Sequence, residues 1–352
     1  MTKLLPLNST IGILGGGQLA RMLSLACVKL GLSSHILDPN PSSPAFEVAK
    51  KFSIASFQDK KALEKFAREI DVLTYEFENI PLDTINYLKQ FCKIFPDINA
   101  LEISQDRLLE KKFLNDIGLK TAPYHKVDSL PEFTASIDKI GFPAILKTRK
   151  FGYDGKGQAL IENKKSALQA FDLLKKTPLV MEKFIPFEKE ISVIVTRNLS
   201  GEVVCFDPGE NQHKNGILHS TTVPANISLD LQMDAVLLAA KIANSLDYTG
   251  VMGVELFLKK DKTLIVNEIA PRVHNSGHWT QNGCSIDQFD QHIRAISGRK
   301  LGDGKRHLDI RMVNLLGNDI LKYSNSANGA LHIYGKKEMR SGRKMGHINY
   351  IL

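Results

Sequence analysis

Thr10-Ile-Gly-Ile-Leu-Gly15 is a short buried-strand pattern that runs into Gly16-Gly17-Gln18, and the residues from Leu19 to Ala26 then carry apolar positions at helical spacing. A second apolar run, His35-Ile-Leu-Asp38, stops at Pro39. Strand, glycine turn, helix and strand in this order open a parallel α/β sheet. The alternation continues with a helix over 62–70, a strand over 72–75 and, after Pro81, a helix over 82–91, so a first domain is expected over 1–103.

A charged amphipathic helix over 105–114 follows, and the pattern then changes character. Strands are predicted over 144–147, 179–185 and 190–195, a helix over 231–246, two apolar strands over 251–258 and 264–270, and a closing helix over 288–296. The stretch 211–222 is polar and reads as a loop. These segments make up an expected second domain, 104–297, with a glycine-rich portion around 120–186. The remainder, 298–352, is expected to be a small C-terminal domain with strands over 312–316 and 330–334. There is no internal repeat and no low-complexity linker.

The 352 residues suit two or three domains, and no apolar run approaches the ~18 residues of a membrane span. No signal-peptide pattern opens the chain, and the protein is expected to stay in the cytoplasm with no membrane partner. Cys27, Cys92, Cys205 and Cys284 form no CxxC pair and read as reduced core thiols. The net charge of +8 first points to nucleic acid, but residues 299–352 hold eleven Lys or Arg against four acids, so +7 of it lies in that last segment. A nearly neutral body with a basic end suits a small anion better than a nucleic-acid backbone.

Three constellations carry chemistry. Gly15-Gly-Gly17-Gln-Leu-Ala20 fits G-x-G-x-x-A, with Asp38 ending the next strand, which admits a dinucleotide reading; the same glycines also serve any tight strand-to-helix turn. The turn is expected to be structural or substrate-facing. In Lys147-Thr-Arg-Lys-Phe-Gly-Tyr-Asp-Gly-Lys-Gly-Gln158, three glycines free backbone N–H groups to face phosphate oxygens while Lys147 and Lys156 add charge. It is not a Walker A loop. Finally, if Asp261-Lys262 is a two-residue turn, Glu255 lies directly across from Glu268 in an apolar hairpin. Opposed carboxylates cost about 0.2–1 kcal/mol in an exposed sheet and more when buried, unless a cation lies between them. Oxygen ligands without His or Cys suit Mg²⁺ shared with nucleotide phosphates. The polar segment from Arg272 to Thr280 follows at once, dense in groups that hydrogen-bond a small polar molecule. His274 and His278 are four apart, but Pro271 and Gly277 disfavour the helix that a zinc pair would need.

Taken together, the Lys147 strand, the glycine loop and the paired acidic strands ending in Asn267-Glu268 resemble the ATP-grasp superfamily. Gly15 to Met22, Gly152 to Gln158, Asn267 to Thr280 and Arg340 to His347 are similar, over essentially the whole chain, to the N5-carboxyaminoimidazole ribonucleotide synthetases, the ATPase subunits of phosphoribosylaminoimidazole carboxylase. The implied fold is α/β: an N-terminal Rossmann-like pre-ATP-grasp domain, an ATP-grasp domain and a small C-terminal domain. The implied reaction is ATP-dependent carboxylation of 5-aminoimidazole ribonucleotide by bicarbonate, through carboxyphosphate, in purine synthesis.

By the same resemblance Arg107 and Lys147 contact the ATP phosphates, with Gly152, Tyr153, Asp154, Gly155, Lys156, Gly157 and Gln158 closing over them. Glu182, Lys183, Phe184 and Ile185 line the adenine pocket, Glu190 meets the ribose, and His213 with Asn267 and Glu268 completes the nucleotide site. Glu255 and Glu268 hold Mg²⁺, for which Mn²⁺ can substitute. Tyr153, Asp154, Arg272, His274, Asn275 and Ser276 surround the aminoimidazole and its ribose, while Lys336 and Arg343 take the 5′-phosphate. Lys147, Arg272 and His274 are the residues expected to carry catalysis. A homodimer and coupling to a mutase that consumes the product are further implications. The chain ends five residues after His347, whereas many relatives continue for some twenty more, so a final helix is expected to be missing. Rival readings are another ATP-grasp ligase of the formate-dependent transformylase or biotin carboxylase type, a non-catalytic nucleotide sensor, and an NAD-dependent dehydrogenase.

Overall fold

A computed structural model describes residues 4–152, 155–325 and 327–352. Among these residues the strands fall into three sheets. The first is parallel, with β1 (Thr10–Leu14), β2 (Ser33–Asp38), β3 (Lys51–Ile54), β4 (Val72–Tyr75) and β5 (Lys93–Ile94) in the order β3-β2-β1-β4-β5. Ile11, Ile13, Leu14, Ile36, Leu37 and Leu73 are fully enclosed, as expected of strands covered by helices on both faces. The second sheet, β6 (Tyr124–Val127), β7 (Ala144–Thr148), β8 (Gln158–Ile161) and β9 (Leu179–Lys183), is antiparallel in the order β6-β9-β7-β8. It carries its own apolar cluster around Phe133, Leu146 and Met181.

The third sheet has nine strands: β10 (Lys189–Arg197), β11 (Val203–Cys205), β12 (Gly209–Lys214), β13 (Ile217–Val223), β14 (Gly250–Leu258), β15 (Leu264–Ala270), β16 (Ile310–Leu316), β17 (Ala330–Ile333) and β18 (Lys344–Ile351). Its order is β15-β14-β10-β12-β13-β16-β18-β17, with β11 on β10. The basic C-terminal strands therefore extend the sheet that carries the acidic hairpin. The Leu229–Ser245 helix packs Ala235, Ala239, Ile242 and Ala243 into the core formed with Val193, Val195, Met252 and Val254.

Two features tie the first sheet to the third. Val251 donates its N–H to His292 Nδ1 at 3.1 Å, which makes that nitrogen an acceptor, so Nε2–H donates to Thr74 Oγ1 at 2.8 Å. Isoleucines on β1 and β2 also share one core with Ile194, Val251, Trp279 and Phe289.

The segment expected to be a loop over 211–222 is instead the β12–β13 hairpin. Its turn is Asn215-Gly216, with φ values of 53° and 76°, and Asn-Gly is the dipeptide that favours left-handed backbone at both central positions of a tight hairpin. The strands escaped notice because Asn211, Gln212, His213 and Thr221 give them no apolar run. Helices at Leu130–Ile140 and Lys164–Leu174, and the long strand β18, were likewise not anticipated.

Candidate active site

The acidic hairpin sets the geometry. Glu255 does pair with Glu268, but by a different route from the two-residue turn. Lys259 N–H bonds Thr263 C=O, and Lys262 at the turn has φ 65°, so the outer ladder runs Leu258↔Leu264, Phe257↔Ile265, Leu256↔Val266, one residue out of the expected register. A bulge that leaves Asn267 unpaired then restores Glu255↔Glu268. The bulge brings Asn267 and Glu268 together against Glu255, and Asn267 Nδ2 lies 3.5 Å from Glu255 Oε2. Burial, reinforced by the Glu268 charge, lifts the Glu255 carboxyl to about 7.

This hairpin lines a cavity of about 1070 Å³ walled by the second and third sheets and by the segment 76–79 that follows β4. On one side Arg107 Nη1 bonds Glu268 Oε2 at 3.1 Å. The Arg107 helix starts at Asp106, whose carboxylate caps it and grips Arg149 by two oxygens. Lys147, on β7, bonds Glu182 Oε2 at 2.9 Å, and burial outweighs that partner to lower the Lys147 pKa. Burial would raise Glu182, yet Lys111 and Lys147 together hold its carboxyl at about 2. Lys183, Phe184 and Ile185 continue along the cavity wall. Glu190 and His213, on neighbouring strands, form one unit with Nδ1 2.7 Å from Oε2. Gly152, Gly155, Lys156 and Gln158 line the cavity, whereas Gly157 does not: its carbonyl accepts from Thr148 N–H, and a Cβ there would stand 2.6 Å from Thr148 Oγ1. Tyr153 and Asp154 lie outside the described residues.

On the other side Arg272 makes two hydrogen bonds to Glu78, at 2.5 and 3.0 Å. Burial pushes Glu78 up, but Arg272 overcomes it and holds the carboxyl at about 2. His274 Nδ1 meets Ser276 Oγ at 2.9 Å, and its Nε2 stands 3.6 Å from Glu255 Oε1. Burial and the Arg272 charge lower its pKa to about 3, so the ring is neutral. Asn275 lines the cavity but exchanges amide hydrogen bonds with Asn314 at 2.9 and 2.7 Å. Ser276 is buried behind His274 and does not reach the cavity wall. Lys336 and Arg343 do, together with Arg340, Ser341 and Lys344.

The glycine turn over 15–20 proves to be closed from within. Glu76 accepts from the N–H groups of Gly17 and Ala20, and Gly16 donates to Asp38. The helix N-terminus that would hold a pyrophosphate is thus occupied by the protein's own carboxylate, and the Asp38 that would take a ribose is engaged with the turn.

Family models match three consecutive stretches: a ribonucleotide synthetase pre-ATP-grasp domain over residues 8–105, an ATP-grasp domain over 112–289, and a phosphoribosylaminoimidazole carboxylase C-terminal domain over 311–352. The N5-carboxyaminoimidazole ribonucleotide synthase of Brucella melitensis is 48% identical over 99% of this chain and 98% of its own. That of Bacillus subtilis is 40% identical over 98% and 92%. The chain belongs to the N5-carboxyaminoimidazole ribonucleotide synthase family.

Solved members of the N5-carboxyaminoimidazole ribonucleotide synthase family share the architecture. An ADP complex superposes with a TM-score of 0.97 at 40% identity, covering 100% of this chain and 94% of that one. The Aspergillus clavatus enzyme with ADP and 5-aminoimidazole ribonucleotide gives 0.92 at 30% identity, covering 98% and 94%. Among the described residues no cluster of three His, Cys, Asp or Glu forms a self-sufficient metal site. Two facing carboxylates beside an amide fit a hard cation that also needs oxygens from a nucleotide. Among the described residues no helix is long and apolar enough to cross a membrane. Glu76, Glu78, Glu110 and Lys111 all line or adjoin this region and were missed from sequence, because Glu110 and Lys111 sit in a run of helix charges and Glu76 and Glu78 in a short acidic turn, where nothing sets them apart from solvated surface.

Proposed function

We propose that this protein is an ATP-dependent carbon–nitrogen ligase that joins bicarbonate to the exocyclic amine of 5-aminoimidazole ribonucleotide, giving N5-carboxyaminoimidazole ribonucleotide, ADP and phosphate in de novo purine synthesis. One observation carries this reading. A single cavity holds an acidic pair between two cationic ends, Arg107 and Lys147 on one side and Arg272, Lys336 and Arg343 on the other.

In this reading adenine rests against residues 182–185, with the ribose at Glu190 and His213. Arg107 and Lys147 draw the phosphates toward Glu268, and residues 152–158 cover them. Glu255, Glu268 and the Asn267 amide oxygen would hold Mg²⁺ or Mn²⁺, which when bound neutralises phosphate charge. A bicarbonate oxygen attacks the γ-phosphorus, the bond to the β–γ bridging oxygen breaks, and ADP leaves. The protein's part is positioning and charge neutralisation, with no side-chain nucleophile. The amine nitrogen then bonds the carboxyl carbon of carboxyphosphate, the bond from that carbon to the phosphate oxygen breaks, and phosphate departs with the proton that the amine gives up. Water exclusion by the covering loop protects that intermediate. Neutral His274 offers Nε2 to orient the amine, Ser276 fixes the ring, and Asn275 shapes the wall. Lys336 and Arg343 face the 5′-phosphate.

The Glu76 plug in the glycine turn weighs against the dehydrogenase alternative. Domains over 1–103, 104–297 and 298–352, a homodimer, a cytoplasmic location and delivery of the product to a mutase belong to the same proposal through family likeness. The test is ADP release with Mg-ATP, bicarbonate and aminoimidazole ribonucleotide, each omitted in turn. Turnover that ignores the ribonucleotide would sink the function.

A further inference from the structure

We infer that Lys111 is a positioning residue that takes over as the counter-ion of Glu182 when Lys147 turns to the nucleotide's phosphates. The inference rests on the reading of the cavity as an ATP site. Lys111 is 1% exposed, and its ammonium lies 3.3 Å from Glu182 Oε2. Lys147 approaches the same oxygen at 2.9 Å. The other oxygen of Glu182, Oε1, is buried and has no hydrogen-bond partner among the described residues.

Two ammonium groups on one carboxylate leave a surplus positive charge in a site shielded from water. Such a surplus is costly unless an anion comes near. The two lysines differ in where they can go. Lys147 lines the cavity and Lys111 does not. Lys111 is held on the Arg107–Asp116 helix, whose first turn is fixed by Asp106 and whose Arg107 and Glu110 bind Glu268 and the Ile269 N–H. Only Lys147 can therefore follow an entering phosphate. When it leaves, Lys111 keeps the Glu182 anion paired. Without Lys111, moving Lys147 would strand a buried carboxylate, so Lys147 would stay where it is.

Calorimetric titration with ADP and with adenosine, which lacks the phosphates, tests this on the full chain. Wild type should bind ADP more tightly than adenosine. Lys111→Met should weaken ADP by about tenfold or more and adenosine by less than about threefold. In a Glu182→Gln background, where no anion needs pairing, adding Lys111→Met should leave the ADP-to-adenosine ratio within about threefold. Equal loss of both ligands, an unchanged ratio, or the same loss in the Glu182→Gln background overturns the role. Should Lys111→Met fail to fold, Lys111→Gln supplies the same comparison, and a wild-type ratio there also overturns it. A wild type that binds neither ligand overturns the nucleotide reading itself.

Discussion

Glu78 and Arg272, 194 positions apart in sequence, lock together through two hydrogen bonds in the cavity wall. The pair aims the guanidinium and leaves it anchored to the first domain. Glu78→Gln keeps the shape but removes the charge. It should lower kcat/KM for the ribonucleotide by about tenfold to a hundredfold while the KM for ATP moves less than about threefold, as steady-state kinetics would report. Parallel changes in both substrates would contradict this placement.

Glu268 faces Glu255 and is bonded by Arg107. Glu268→Gln should abolish turnover, by about a hundredfold or more, with little change in melting temperature. Near-normal activity at saturating Mg²⁺ would remove the metal assignment.

Arg343 reaches the cavity and also bonds the Glu338 carbonyl. Its replacement by alanine should raise the KM for aminoimidazole ribonucleotide by about tenfold and leave that for ATP nearly unchanged. Equal effects on both substrates would contradict a phosphate-binding role.

His292 is fully buried, and burial lowers its pKa to about 3 from an ordinary 6.5. A base depressed on folding binds more protons when unfolded, so its contribution is complete above pH 6.5 and is lost as pH falls toward 3. The slope it adds is at most about 1.4 kcal/mol per pH unit. Urea unfolding of His292→Gln across this range should show a shallower acid loss than wild type; identical slopes would refute it.

At Gly17 an added Cβ would stand 2.5 Å from Glu76 Oε1, whose carboxylate accepts from the Gly17 and Ala20 N–H groups and could move aside only by giving up those bonds. Gly17→Ala should cost about 1–3 kcal/mol in thermal or denaturant unfolding. A silent substitution would mean that the turn is looser than its hydrogen bonds indicate.

Legibility from sequence followed the kind of signal. Apolar strands such as β1, β4, β14 and β15 were plain, since their enclosed faces demand continuous runs. The hairpin β12–β13 was not, because Asn211, Ser220 and Thr221 are buried polar residues satisfied by side-chain hydrogen bonds rather than an apolar run, although Asn215-Gly216 marked its turn. The opposition of Glu255 and Glu268 was expected from a turn that the chain does not use. A shifted turn and a bulge at Asn267 offset one another, which no count of residues in the loop reveals. Glu78 and Lys111 come from distant segments, and only tertiary packing brings them to Arg272 and Glu182.

Strand β18 lies between β16 and β17, both of which precede it in the chain. β16 also pairs with β13, but β17 is joined to the sheet through β18 alone. Lys336 lies between β17 and β18 and Arg343 immediately precedes β18, so the cationic wall that they give the cavity depends on the last strand of the chain. The two ends of the cavity thus differ in what closes them: Arg107 and Lys147 stand on elements from the middle of the chain, whereas Lys336 and Arg343 are held by its final hairpin.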